Sequence, residues 1–369
     1  MFRPPIIVDY IIKEIIYNCK KNLKNELKKM PMSGTITVRI RKESDTMLFL
    51  WIGGGVLTLL AVISLIASYI CFYKLFYASR TKNFAEEYPV PDVDFLGEYA
   101  PDVEMWIEKA SKLEYRDVEI KSFDGLTLRG KYYERDPKAP IEILLHGYRG
   151  DSVRDLSGGI FRCFSIGHNV LLVDQRAAGR SEGHIISFGV NESRDCADWI
   201  SFVINNINPE AKIVISGVSM GASTVLIAAG RELPENVVGV LADCGFTSAK
   251  AEIKKVMKDM KLPSDLIYPF ARLGGILFGG FDVDSVSSIE SVKKARVPII
   301  FLHGEGDEFV PCYMSRENYE ACVSEKKLVT FPRAGHGLSY PADPERYLIE
   351  VREFFRPILG DQAPFDVEY

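Results

Sequence analysis

Three residues in this chain have the types and settings that nucleophilic catalysis needs. They are Ser219 in Gly217-Val218-Ser219-Met220-Gly221, Asp307 in His303-Gly304-Glu305-Gly306-Asp307, and His336 in Arg333-Ala334-Gly335-His336-Gly337. A serine hydroxyl attacks poorly at neutral pH unless an imidazole takes its proton and a carboxylate fixes the imidazole tautomer. Ser219 follows the β-branched run Ile213-Val214-Ile215 and precedes small, apolar residues up to Gly230, which reads as a strand, a sharp turn and a buried helix. Glycine on both sides suits a turn too tight for side chains, leaving Ser219 alone at the apex. The acid has a rival in Asp243, at the end of an earlier predicted strand. Of the other histidines, His146 and His303 end strands as His-Gly pairs and read as packing and hydrogen-bonding residues. His168 reads as a surface residue at a helix end, and His184 as part of the site rim.

These residues need a scaffold, and the flanking pattern supplies one. Val118-Glu119-Ile120 and residues 126–132 alternate around Phe123-Asp124-Gly125, predicting an antiparallel hairpin. Short apolar runs at 141–145, 169–173, from Ile213, at 237–242 and at 298–302 are separated by helical stretches, which predicts a mostly parallel sheet with helices on both faces. Ligands of such sheets sit at the carboxyl ends of the strands, where Ser219, Asp307 and His336 fall.

Together with the chain order Ser, Asp, His, these features resemble the α/β-hydrolase superfamily over roughly residues 115–359, within a predicted hydrolase domain of 115–361. The matching pieces are LLHGY at 144–148, DQRAAGRSEG at 174–183, GVSMGA at 217–222, HGEGDEFVP at 303–311 and AGHG at 334–337. Among its members the chain looks most like bacterial single-domain esterases bordering on prolyl-oligopeptidase-like peptidases. Ala177-Ala178 stand where that group carries Gly and often His, in a block that shapes the site wall. The resemblance implies Asp307 as the acid, an acyl-enzyme on Ser219, and an oxyanion hole made by the backbone N–H groups of Tyr148 and Met220. It implies no cofactor and no metal. The substrate expected is a small acyl ester, thioester or amide, or a short peptide, with acyl transfer on the same triad and a non-catalytic binding protein as alternatives.

The rest of the chain bears on location. Residues 47–73 contain no charged side chain, longer than the ~20 residues that cross a hydrocarbon core. With Trp51 near one end and Tyr69, Tyr73 and Tyr77 near the other, residues 46–77 read as one uncleaved transmembrane helix. Residues 1–45 form a basic segment, read as a leader or as a surface helix, and 78–114 a proline-bearing tether with a first helix near 103–113. Lys28, Lys29, Arg39, Arg41 and Lys42 before the span, against Lys74, Arg80 and Lys82 after it, favour placing the hydrolase domain on the extracytoplasmic face. Within that domain, 246–281 reads as a small helical cap, either packing on the core or lining an acyl pocket; 362–369 is a C-terminal tail. The net charge of -5 offers nucleic acid no basic surface, and the seven cysteines form no C-x-x-C pair. Oligomeric state is left open by the sequence.

Overall fold

The computed structural model describes residues 34–78 and 96–365, with side chains from residue 45 onward. Most of the basic segment, the tether at 79–95 and the end of the tail lie outside the described residues. The chain separates into two compact units, Met1–Ile63 and Ser64–Tyr369.

In the first unit, α1 (Gly34–Leu75) begins, and residues 45–63 are exposed all round. The candidate span is Asp45–Leu75. Within the second unit the same helix changes character. Ser68, Phe72 and Phe76 are buried, and Ser64, Ala67, Cys71 and Leu75 are half-buried, a stripe at the i, i+3, i+4 spacing of a helix packed on one side. The chain then leaves the helix, and Tyr77 pairs with Ile185 as an antiparallel bridge. The sequence boundary at 77 therefore runs past the helix end: aromatic residues score alike whether they face lipid or a protein core.

The second unit is built on eight strands: β1 (Arg116–Lys121), β2 (Thr127–Tyr133), β3 (Ile141–Leu145), β4 (Asn169–Asp174), β5 (Ile213–Val218), β6 (Val237–Asp243), β7 (Ile299–Gly304) and β8 (Lys326–Phe331). Their order across the sheet is β1-β2-β4-β3-β5-β6-β7-β8. The hairpin strands β1 and β2 pair antiparallel, β2 pairs antiparallel with β4, and every later pairing is parallel. This is the α/β-hydrolase fold expected from the sequence. Successive side chains of a strand point to opposite faces, so Leu144, Val214 and Leu241 pack on one side and Ile143, Ile215 and Val240 on the other.

The first face is covered by α2 (Ala100–Lys112), α3 (Ser152–Ser165) and α11 (Pro344–Leu359), the second by α4 (Glu192–Phe202), α5 (Met220–Ala229), α8 (Ser288–Val292) and α9 (Tyr313–Ala321). Asp151 starts α3 by accepting from the Arg154 N–H at 2.9 Å, and Asp343 caps α11 in the same way. The insertion expected at 246–281 holds α6 (Ala249–Asp259), capped by Ser248, and α7 (Ser264–Gly274) followed by one π turn.

One sequence expectation is overturned here. His168 is buried rather than at the surface, with Nδ1 3.1 Å from Glu142 Oε2. Glu142 lies inside β3, where a bare carboxylate would be costly, and Arg162 from α3 forks onto it from the other side. The pair holds the Glu142 carboxyl far below its usual range, against a burial effect that alone would raise it.

Candidate active site

The turn after β5 has the form that its glycines predict. Ser219 sits at φ 58°, ψ −119°, a conformation that side-chain-bearing residues rarely adopt and that costs of order 1–3 kcal/mol unless the surroundings enforce it. The surroundings do enforce it. A Cβ on Gly217 would lie 2.3 Å from the Gly221 carbonyl carbon, and one on Gly221 would lie 2.1 Å from the Leu145 carbonyl oxygen. Strand, turn and helix are thus pressed together with no room for side chains, and the Ser219 hydroxyl is thrust out at the carboxyl end of the sheet.

Two loops bring the partners to it. His336 Nε2 stands 2.9 Å from Ser219 Oγ, and His336 Nδ1 stands 2.7 Å from Asp307 Oδ2. Asp307 Oδ1 accepts from the backbone N–H groups of Phe309 and Val310 at 2.9 and 2.8 Å. Its other oxygen is also 3.2 Å from His303 Nε2. Burial pushes the Asp307 carboxyl up, but the hydrogen bonds from His303 and His336 outweigh it and hold the group at about 2. It is an ionised acceptor held by two backbone N–H groups and two imidazoles.

The rival acid is engaged elsewhere: Asp243 accepts from Ser339 Oγ at 2.8 Å and from the Tyr347 hydroxyl at 3.2 Å. Of the remaining histidines, His146 is buried and its ring contacts the Gly147 carbonyl at 2.8 Å while accepting from the Gln175 N–H at 3.1 Å. His184 is exposed and stacks on Tyr77, and it is not among the residues that line the cavity at Ser219.

The loop His146-Gly147-Tyr148-Arg149-Gly150 runs beside Ser219. A Cβ on Gly147 would lie 3.5 Å from Ser219 Cβ. Neither the Tyr148 N–H nor the Met220 N–H has a hydrogen-bond partner among the described residues, and the latter is the first N–H of α5, where no intrahelical partner exists. Gln175 Nε2 donates to the His146 carbonyl at 2.6 Å and steadies the loop from the DQRAAGRSEG block. That block is itself fixed, with Arg176 forked between Asp195 and Asp124.

The end of α1 also joins this loop, through contacts that no sequence pattern marks. The Tyr148 hydroxyl donates to the Leu75 carbonyl at 2.7 Å, and Arg149 Nη2 donates to the Lys74 and Tyr77 carbonyls at 2.8 and 3.2 Å. Helices end with unpaired carbonyls, and cationic side chains are favoured there.

A cavity of about 540 Å³ opens at Ser219 and His336. Its walls come from the α2 and α3 side of the sheet, including Val103, Trp106, Leu144, Leu156, Leu338 and Tyr340. No residue of 246–281 lines it. The cap packs instead: Phe246, Ile253, Met257, Tyr268 and Phe281 form one cluster with Phe72 and Phe76. Of the two roles expected for the cap, packing is the one the structure displays.

Among the described residues one group of potential metal donors lies close together, Cys244, Asp307 and His336. Two of them already bond one another, and burial pushes the Cys244 thiol well above its usual range, which disfavours the thiolate a metal would need.

Comparison with known proteins agrees with this architecture. A family profile described as alpha/beta hydrolase fold matches residues 143–283. The uncharacterized protein YqkD of Bacillus subtilis is 27% identical over 248 residues, covering 67% of this chain and 81% of its own. The uncharacterized membrane protein YNL320W of Saccharomyces cerevisiae is 29% identical over 174 residues, covering 46% of this chain and 55% of its own. Among solved structures, the Pyrococcus furiosus esterase Pf2001 is similar with a TM-score of 0.55 and 25% identity, covering 70% of this chain and 95% of that one. The chain has the α/β-hydrolase fold, and its esterase neighbours support a hydrolase.

Proposed function

We propose that the protein is a membrane-anchored serine hydrolase that cleaves an ester, thioester or amide of a small acyl substrate through an acyl-enzyme on Ser219. The observation that carries this reading is the continuous chain Ser219 Oγ, His336, Asp307 at 2.9 and 2.7 Å, with the serine held strained at the apex of its turn. As Ser219 Oγ attacks the carbonyl carbon, its proton passes to His336 Nε2, and Asp307 stabilises the imidazolium through Nδ1. The carbonyl oxygen, now negative, lies between the free N–H groups of Tyr148 and Met220; such donors are each typically worth about 3 kcal/mol. His336 then protonates the leaving group as the tetrahedral intermediate collapses. Water, deprotonated by His336, attacks the acyl-enzyme by the same route and frees the acid.

The anchor reading is supported by residues 45–63, exposed all round and 19 residues long. At ~1.5 Å per residue they extend about 28 Å, close to the ~30 Å hydrocarbon core. Turnover of p-nitrophenyl acyl esters against aminoacyl amides tests the chemistry. Ester hydrolysis abolished by Ser219→Ala is the expected result, and turnover of amides alone would contradict the esterase reading.

A further inference from the structure

Resting on the hydrolase reading above, we propose that the acyl group of the substrate is an uncharged chain well longer than acetyl. It binds in the cavity between α2 and α3 with Trp106 and Tyr340 as its selecting wall, and not beneath the helical cap.

Space on the cap side of the nucleophile is already occupied by the chain itself. Phe76 is fully buried, 5.2 Å from the Phe281 ring and 5.8 Å from Phe188, and Phe188 lies 5.0 Å from Tyr148. Met220, which follows the nucleophile, belongs to the same packed cluster. An acyl chain leaving Ser219 in that direction would have to displace a core. On the opposite side the cavity starts at Ser219 and runs along the ends of β3, β5 and β6. Its volume falls among small-molecule pockets of ~300–1,000 Å³. At roughly 30 Å³ per non-hydrogen atom, taking the liquid volume of a water as the guide, it holds about 18 such atoms.

The chemistry of the wall selects against charge. The charged side chains that line the cavity beyond His336 are each paired: Arg162 with Glu142, Asp243 with Ser339 and Tyr347, Arg154 with Asp155. A charged acyl terminus would lose its water and meet no unpaired counter-charge, only neutral hydroxyls such as those of Ser157 and Ser216. The rest of the wall is mostly apolar and includes the Trp106 indole, which stacks on Tyr340 with ring centroids 5.2 Å apart. The indole can lie flat on α3 because residue 158 is glycine, where a Cβ would come within 2.6 Å of the ring. Gly158 therefore sets the depth of the wall from behind it.

The test is kcat/KM of the full-length protein in detergent for p-nitrophenyl esters of increasing acyl length. A matched series of acetates of increasing alcohol length and an ω-carboxyl acyl ester complete the set. The expected result is a rise with acyl length, by about tenfold or more from acetyl to the optimum, given that one methylene in a pocket is worth ~10–200-fold. Trp106→Ala moves the optimum to longer chains, Gly158→Leu moves it to shorter ones, and Leu277→Ala in the cap leaves the profile unchanged. A profile unmoved by Trp106→Ala and Gly158→Leu, length selection in the alcohol series instead, or preference for the charged ester would overturn the pocket assignment. Labelling by fluorophosphonate separates the two levels: Ser219 labelled with an unmoved profile sinks this inference alone, and no labelling sinks the hydrolase reading with it.

Discussion

Ser219 adopts a strained backbone conformation in a turn that has no room for side chains at Gly217 and Gly221, and it was this pair of glycines that made the proposed nucleophile legible in the sequence. Asp307 and His336 were legible through their glycine-bearing loops. The contact of His303 with Asp307 was not, because nothing in a His-Gly pair ending a strand says which carboxylate the ring will face. At this scale two outcomes follow. Asp307→Asn is expected to lower kcat by about 10⁴, since the amide favours the wrong imidazole tautomer, with KM little changed in steady-state ester hydrolysis. The Asp307 carboxyl, held at about 2, lies below its unfolded value near 3.9. Its contribution to stability is therefore complete above about pH 4 and is lost as pH falls through about 2. An acid limb of kcat/KM above pH 4 is accordingly not the titration of Asp307.

Between elements, the side chains of Tyr148 and Arg149, on the loop proposed to carry an oxyanion donor, fasten to carbonyls at the end of α1. Tyr148→Phe removes that hydrogen bond and keeps the ring, so it is expected to lower kcat by about fivefold with KM held, in line with ~1 kcal/mol for one hydrogen bond. Equal loss in both constants would mean that the loop binds substrate and does not hold a donor in place. In the cap, Glu252 on α6 is 4% exposed and neither of its carboxyl oxygens has a hydrogen-bond partner among the described residues. Burial, with the neighbouring Asp307 and Asp259 charges and against Lys255, raises it to about 8. Its folded value thus exceeds the unfolded one of about 4.3, so stability is full below that value and declines as pH rises through about 8. The melting temperature of Glu252→Gln is expected to match the parent near pH 4 and to exceed it by a growing margin, about several degrees, up to pH 8. An equal margin at both pH values would contradict the assignment. The cap helices were legible from their spacing, but their partner was not: hydropathy marks an apolar face without saying whether lipid, ligand or another helix covers it.

At the scale of the whole molecule, the parallel strands were readable because a sheet covered on both faces leaves continuous apolar runs. The cavity was not, because α2 shows only an ordinary amphipathic pattern and its Trp106 meets Tyr340 from a distant part of the chain. The anchor proposal predicts that the full-length protein stays with membranes in alkaline carbonate and is released by detergent. The proposed extracytoplasmic placement predicts digestion of the hydrolase domain by protease added to intact cells, and a protected domain would reverse it. The central claim, that Ser219 is an activated nucleophile, is tested most directly by the intact mass of the full-length protein after a fluorophosphonate probe. The account predicts a single adduct on the parent that Ser219→Ala abolishes. An unlabelled parent, or an adduct that persists in Ser219→Ala, would contradict it.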